Sequence, residues 1–192
     1  MKILKVALIV LVLSAAAFPQ TKDLGMGSFA NEAGPILMAV DAQLVNQSIN
    51  RPYAMFVLFI GAKGKDTSIT VAAKDVVMVY NGQEYHMPSL ADLREHYRGE
   101  IRDLDFYRRM GKEGIIASWV RLYNFPNEGS FFPPLTARSG VAATEGHLVA
   151  LDGFMTPIYF KNPGFAKGDK VTIKVRDVKN PALTGECEVV LQ

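Results

Sequence analysis

Tyr53-Ala-Met-Phe-Val-Leu-Phe-Ile60 is the stretch that decides the fold of this 192-residue chain, because it is apolar at every position. A strand with one face in water alternates apolar and polar residues, whereas a strand that is covered on both faces is apolar throughout. The stretch therefore predicts a central strand of a sheet, with the main core on one face and a separate cover on the other.

Short apolar runs separated by turn residues continue from Ile36 to the end of the chain, a texture that is typical of an all-β domain. Asn81-Gly82 and Asp152-Gly153 each lie between two such runs. Both dipeptides suit type I′ turns, whose central residues need positive φ. Each of them therefore predicts a β-hairpin.

The end of the chain predicts two amphipathic strands. Every second residue is apolar over residues 170–176 and again from Cys187 to Leu191. Two such strands closing a chain resemble the last pair of an immunoglobulin-like sandwich, a resemblance of architecture that names no functional family. We therefore predict a mainly β fold, an immunoglobulin-like antiparallel β-sandwich, as a single domain over residues 36–192. Cys187 shares the alternation of the apolar positions, so we expect its thiol to be buried and inert.

Residues 89–113 break the β pattern. Ser89 is followed three residues later by Asp92, which is the spacing of a helix cap. Leu93, Tyr97 and Ile101 then recur at helical spacing and mark one apolar face in an otherwise highly charged segment. We predict a charged helical insertion at about 89–113 that covers the second face of the strand at 53–60.

The N-terminus carries the signs of an export signal. Lys2 and Lys5 precede the apolar run Val6–Leu13, and small residues follow up to Ala17. This predicts a secretory signal peptide over residues 1–17. The apolar run is shorter than the about 20 residues that span a bilayer, so we expect cleavage and no transmembrane segment in the mature chain. Residues 18–35 lack periodicity and are rich in glycine and polar residues, which predicts a flexible leader.

Charge and cysteine content narrow the classes of partner and compartment. The formal net charge is +2, and loss of the two lysines in the signal would leave a neutral chain. A neutral chain without a basic block argues against nucleic acid or an anionic membrane as the main partner. Cys187 is the only cysteine, whereas small secreted animal domains usually depend on disulfides. We therefore expect a secreted or periplasmic protein of a bacterial envelope.

The loop around residues 125–134 is the candidate partner-binding surface. Its candidate residues are aromatic rings and prolines, which together make a rigid apolar surface suited to another envelope protein or a peptide: Phe125, Phe131, Phe132, Pro133 and Pro134. The alternative is that the phenylalanines fold back and plug the open end of the sandwich.

The sequence contains no recognisable signature of catalysis, cofactor binding or metal binding. It lacks a Gly-x-Ser-x-Gly motif, a glycine-rich phosphate loop and a closely spaced histidine pair. We therefore predict a non-enzymatic binding or structural module without a cofactor. Two alternatives remain. One is a hydrolase with its site between the helical insertion and the sheet, using Glu95, His96, Glu100 or Asp103. The other is a copper-handling envelope protein using His86, His96 and methionines.

Overall fold

The computed structural model describes residues 21–64, 66–97, 116, 130–132, 135 and 142–192. Within this part of the chain the strands are β1 (Lys22–Gly25), β2 (Ser28–Asn31), β3 (Ile36–Asp41), β4 (Tyr53–Ala62), β5 (Ser68–Ala72), β6 (Val77–Tyr80), β7 (Gln83–His86), β8 (Glu145–Val149), β9 (Phe154–Lys161), β10 (Lys170–Arg176) and β11 (Thr184–Val190). The helices are α1 (Gln43–Gln47), α2 (Leu90–His96) and a 3₁₀ turn at Ala73–Asp75.

The described strands form three sheets. The first has the order β1-β2-β3-β4-β9, the second has the order β11-β10-β6-β7, and β5 pairs with β8 in a third. Neighbouring strands are antiparallel in all three sheets. The prediction of a mainly β chain with antiparallel sheets is therefore confirmed.

Strand β4 is buried along its whole length, as its apolar sequence predicts. It pairs with β3 on one side and with β9 on the other, so it is an interior strand of the five-stranded sheet. Side chains alternate between the two faces of a strand. Tyr53 and Met55 therefore point to one face of this sheet, and Ala54 and Phe56 point to the other.

The face that carries Phe56 lies against the second sheet. Gly185 of β11 approaches β3 so closely that an added Cβ would lie 2.8 Å from the carbonyl oxygen of Ile36 and 2.9 Å from Sδ of Met38. Asn31 of β2 donates a hydrogen bond from Nδ2 to the carbonyl oxygen of Glu186, at 2.8 Å. Only glycine permits this approach, because any other residue would push the two strands apart.

Helix α2 and Tyr97, the residue that follows it, cover the opposite face of β4. The Ser89 hydroxyl accepts a hydrogen bond from the backbone N–H of Asp92 at 3.1 Å, so the helix begins at the predicted cap. Leu93 is fully buried, and the ring centroid of Tyr97 lies 6.1 Å from that of Tyr53. This confirms the predicted cover for Tyr97. The helix ends at His96, and residues 98–113 of the predicted insertion, Ile101 included, lie outside the described residues.

The prediction of a flexible leader over residues 18–35 is wrong for the described residues of this segment, which form two strands. Here β1 and β2 extend the first sheet, and Phe29 of β2 is opposite Val40 of β3. Gly25, Met26 and Gly27 all have positive φ and form the turn between the two strands. The glycines that indicated a leader are therefore the residues that make a tight hairpin possible. The predicted signal peptide, residues 1–17, lies outside the described residues.

One of the two predicted hairpins is confirmed and the other is wrong. Asn81 and Gly82 have positive φ, and they connect β6 to β7 with Tyr80 opposite Gln83. Asp152-Gly153 does not form a hairpin turn, because the chain reverses at residues 150–151, between Val149 and Asp152. Strands β8 and β9 then leave for different sheets, where they pair with β5 and β4.

Candidate functional site

The structure buries both described phenylalanines of the candidate partner surface. Phe131 is 3% exposed and Phe132 is 8% exposed. The Phe131 ring lies 4.8 Å from that of Phe154, and the Phe132 ring lies 5.1 Å from that of Tyr159. Phe154 and Tyr159 are five residues apart on β9 and therefore point to opposite faces of the sheet. The rings of Phe131 and Phe132 therefore lie on opposite faces of β9, which is an edge strand of its sheet.

Hydrogen bonds fasten the segment 130–132 to the same strand. The backbone N–H of Phe131 donates to Oγ1 of Thr156 at 3.1 Å, and the Ser130 hydroxyl lies 3.1 Å from the same atom. The carbonyl oxygen of Ser130 accepts from the backbone N–H of Ala143 at 2.9 Å. Since β9 is the last strand of its sheet, the segment covers an edge that would otherwise be open to another chain.

These contacts change the interpretation of the loop. Neither Phe131 nor Phe132 offers a surface to a partner, and both pack as the alternative of inward-folded rings expects. Phe125, Pro133 and Pro134 lie outside the described residues. No sequence signal distinguishes the two outcomes, because phenylalanines in an irregular loop have no period that relates them to a face of the sheet.

A small cleft separates α1, α2 and β4. Its volume is about 10 Å³, which is room for about one water molecule. The lining residues come from these three elements and the segments next to them: Leu44, Val45, Ser48, Arg51, Tyr53, Met55 and Tyr97. A substrate does not fit into a space of this size.

The described residues of the hydrolase alternative, Glu95 and His96, do not line this cleft. Glu95 and His96 lie on the solvent side of α2, where their side chains are 77% and 54% exposed. Glu100 and Asp103 lie outside the described residues. The described chain therefore places no desolvated acid beside a histidine at the boundary of α2 and the sheet.

Asp92 links α2 to the sheet. The Tyr53 hydroxyl donates to Oδ2 of Asp92 at 2.7 Å, and His96 Nδ1 lies 3.2 Å from Oδ1. The hydrogen bond to Asp92 raises the pKa of Tyr53 to about 12, because ionisation would place a phenolate beside a carboxylate. Tyr53 therefore stays protonated at neutral pH and acts as a hydrogen-bond donor that fixes the helix.

Asp41 is a buried carboxyl group that the sequence analysis missed. It is 8% exposed, and its Oδ1 accepts from the backbone N–H of Gln43 at 2.9 Å. Among the described residues no hydrogen bond to Oδ2 is formed. Burial raises the pKa of Asp41 to about 6, because the charged form loses its hydration. The residue ends an apolar run, and nothing in its neighbours signals that its side chain is buried.

Asp177 is also a buried aspartate, but both of its carboxylate oxygens accept hydrogen bonds. It is 3% exposed, its Oδ1 accepts from the backbone N–H of Thr70 at 2.8 Å, and its Oδ2 accepts from that of Asn180 at 2.9 Å. Both oxygens have donors, so this carboxylate joins β5 to the loop after β10 and has no free coordination position. Its role is structural.

The copper alternative has no assembled site in the described chain. His86 and His96 are exposed on β7 and α2, and the described residues contain no group of three His, Cys, Asp or Glu that could hold a metal ion. Cys187 is fully buried, and burial raises the pKa of its thiol to about 12. The expectation of a buried thiol is confirmed.

None of the helices in the described ranges is long and apolar enough to cross a membrane.

Comparisons with known protein families, with curated proteins and with solved structures find no match for this chain. Its own residues and their contacts are therefore the basis for a function.

Proposed function

We propose that this chain is a secreted or periplasmic, non-enzymatic binding or structural module of the cell envelope. The proposed scaffold is an immunoglobulin-like sandwich with a helical insertion at about 89–113. Support for the scaffold comes from the contact between β11 and β3 at Gly185, and from the covering of β4 by Tyr97.

The observation that carries the proposal is the size of the cleft beneath α2. A substrate site is a concavity of about 300–1,000 Å³ with a few convergent polar groups. The cleft has room for about one water molecule, and the side chains of Glu95 and His96 on α2 are exposed to solvent. The described residues therefore support action through an outer surface, as in a binding or structural module.

The compartment follows from the N-terminal sequence and from the cysteine content. A basic n-region, an apolar core and small residues up to Ala17 support export. The single buried thiol is compatible with an oxidising compartment, since it has no partner with which to form an intrachain disulfide.

The proposed contact residues are Phe125, Pro133 and Pro134. The buried rings of Phe131 and Phe132 would anchor this loop to β9. A loop that is held in place loses less conformational entropy when it binds, which favours association with an envelope protein or a peptide.

The compartment is tested by expressing the full chain in a bacterium, fractionating the cells and sequencing the N-terminus of the mature protein. We expect an envelope or secreted protein that begins near Phe18. An uncleaved chain recovered from the cytoplasm would refute the proposed location.

The contact loop is tested by placing a photo-crosslinking amino acid at Phe125 in cells that export the protein. Lys179, an exposed residue of the loop after β10, is the matched control position. We expect a discrete crosslinked partner from Phe125 and none from Lys179. Identical products from both positions, or none from either, would remove this loop as the binding surface.

A further inference from the structure

Strand β7 is the last strand of the second sheet, and no strand of the described chain pairs with its outer edge. It pairs with β6 through a two-residue turn, with Tyr80 opposite Gln83 and Met78 opposite Tyr85. In such a hairpin the residues that flank the turn form a hydrogen-bonded pair, and hydrogen-bonded pairs then alternate along the strand. The backbone N–H and C=O groups of Glu84 and His86 therefore point away from β6. Within the described chain these groups have no hydrogen-bond partner, and both side chains are exposed.

Two other edge strands of the described sheets, β11 and β5, are closed by specific contacts. On β11, the carbonyl oxygen of Glu186 accepts from Asn31 Nδ2, and the N–H of Glu188 donates to Oγ1 of Thr21. On β5, the backbone N–H of Thr70 donates to the side chain of Asp177 and its carbonyl oxygen accepts from Val178. Proteins close such edges because an open one is a template for pairing with another strand. Among the described residues, no comparable contact closes the edge of β7.

The sequence of β7 is complementary to itself. In an antiparallel pair of two copies with Tyr85 opposite Tyr85, Glu84 of each copy lies opposite His86 of the other. Outward-pointing residues then meet outward-pointing residues, so both Glu84–His86 positions are hydrogen-bonded pairs. The imidazole N–H of His86 can donate a hydrogen bond to the Glu84 carboxylate opposite it, and such cross-strand pairs stabilise a register, whereas two like charges would destabilise it.

We propose that the edge of β7 binds a second copy of this chain, forming a two-fold dimer in which the four-stranded sheets join into one sheet of eight strands. Four backbone hydrogen bonds and two Glu84–His86 contacts hold the register. The Tyr85 side chains meet across the two-fold axis on the opposite face, where non-hydrogen-bonded pairs bring side chains closest. This contact is independent of the envelope function proposed above.

The length of the contact is limited at both ends. Gly82 belongs to the turn before β7, and its partner in this register would be Pro88 of the other copy, which has no N–H to donate. The ladder therefore stops after Glu84 and His86. A contact this short is well below the area of a stable interface, so the dimer is weak and dissociates on dilution below about 10 µM.

The register is tested by disulfide trapping in the full chain, since the native Cys187 is fully buried and does not compete. Tyr85→Cys places two thiols opposite each other at the axis, where Cα atoms of a non-hydrogen-bonded pair are about 4.5 Å apart. Gln83→Cys is the matched control, because its copies are about 13 Å apart along the strands in this register, too far for a disulfide.

We expect mild oxidation at 0.1–1 mM, about the range in which a weak dimer is populated, to link most of the Tyr85→Cys protein and little of the Gln83→Cys protein. Equal trapping of both variants would overturn the register. No trapping of either would overturn the dimer.

The Glu84–His86 contact is tested by sedimentation equilibrium of variants at these two positions. His86→Glu places two carboxylates opposite each other and Glu84→Lys removes the acceptor for the imidazole N–H, so we expect the first to weaken association about tenfold and the second to weaken it less. The double variant places a lysine opposite a glutamate and should recover most of the loss. Glu145→Lys makes the same change of charge on β8, outside the edge, and should leave association unchanged. Single variants that associate like wild type, or a double variant without recovery, would overturn the proposal.

Discussion

Asp41→Asn should stabilise this protein at neutral pH, although it changes a buried side chain. The pKa of Asp41 rises to about 6 in the folded protein because of burial, whereas an aspartate in an unfolded chain has a pKa of about 3.9. The folded state therefore binds more protons than the unfolded state between about pH 4 and pH 6. By linkage, the stability that Asp41 contributes is fully present below about pH 4 and falls as the pH rises through 6.

The size of the effect follows from the width of this pH window. The folded and unfolded pKa values of Asp41 differ by about two units, which corresponds to about 3 kcal/mol of unfolding free energy at about 1.36 kcal/mol per unit. Asparagine keeps an oxygen for the N–H of Gln43 and carries no charge, but its amide N–H₂ needs an acceptor, an unpaired group costing about 1 kcal/mol. We expect a net gain of about 2 kcal/mol at pH 8, or about 4–8 °C in melting temperature for a chain of this size.

Urea unfolding of wild type and variant at pH 4, 5, 6, 7 and 8 measures this effect. The difference between the two proteins removes the contribution of every other titrating group. It should rise by about 3 kcal/mol, from a variant about 1 kcal/mol less stable than wild type at pH 4 to one about 2 kcal/mol more stable above pH 7. Asp177→Asn is the matched control, and it should destabilise the protein because both Asp177 oxygens accept from backbone N–H groups. A difference that is flat with pH, or an Asp41→Asn protein less stable than wild type at pH 8, would refute the reasoning.

Other predictions concern the predicted cap, the cover of β4, the free thiol and the buried loop. Ser89→Ala should cost about 1 kcal/mol of unfolding free energy, because the N–H of Asp92 loses its acceptor; an unchanged urea midpoint would contradict the cap. Leu93→Ala should cost about 2–5 kcal/mol, since the side chain is fully buried, and a cost below 1 kcal/mol would contradict that burial. Cys187 should react with a thiol reagent only in denaturant, and fast stoichiometric labelling of the native protein would show that it is accessible. Phe131→Ala with Phe132→Ala should lower stability by several kcal/mol in thermal unfolding, as loss of two buried rings does. A melting temperature within 2 °C of wild type would mean that the rings are not part of the core.

Local patterns in the sequence predicted the parts of the fold that depend on residues close together in the chain. The apolar run at 53–60 corresponds to the buried strand β4. Asn81-Gly82, a dipeptide that favours positive φ at both residues, forms the predicted hairpin turn. The cap at Ser89 likewise joins residues only three positions apart. Each of these features depends on backbone geometry or on the period of one strand or helix, which a short stretch of sequence contains in full.

The tertiary structure alone decided the features that depend on distant residues. Phe131 is buried because Thr156 and Phe154 of an edge strand lie beside it, and the sequence contains no period that relates these positions. The glycines near residue 26 indicated a loose leader because their partner strand, β3, was not visible from the composition of the segment. The burial of Asp41 has the same origin. Periodicity shows to which face of its own strand or helix a side chain belongs. Only the packing of the elements determines which residues lie against that face, and the burial and hydrogen bonding of the side chain depend on those residues.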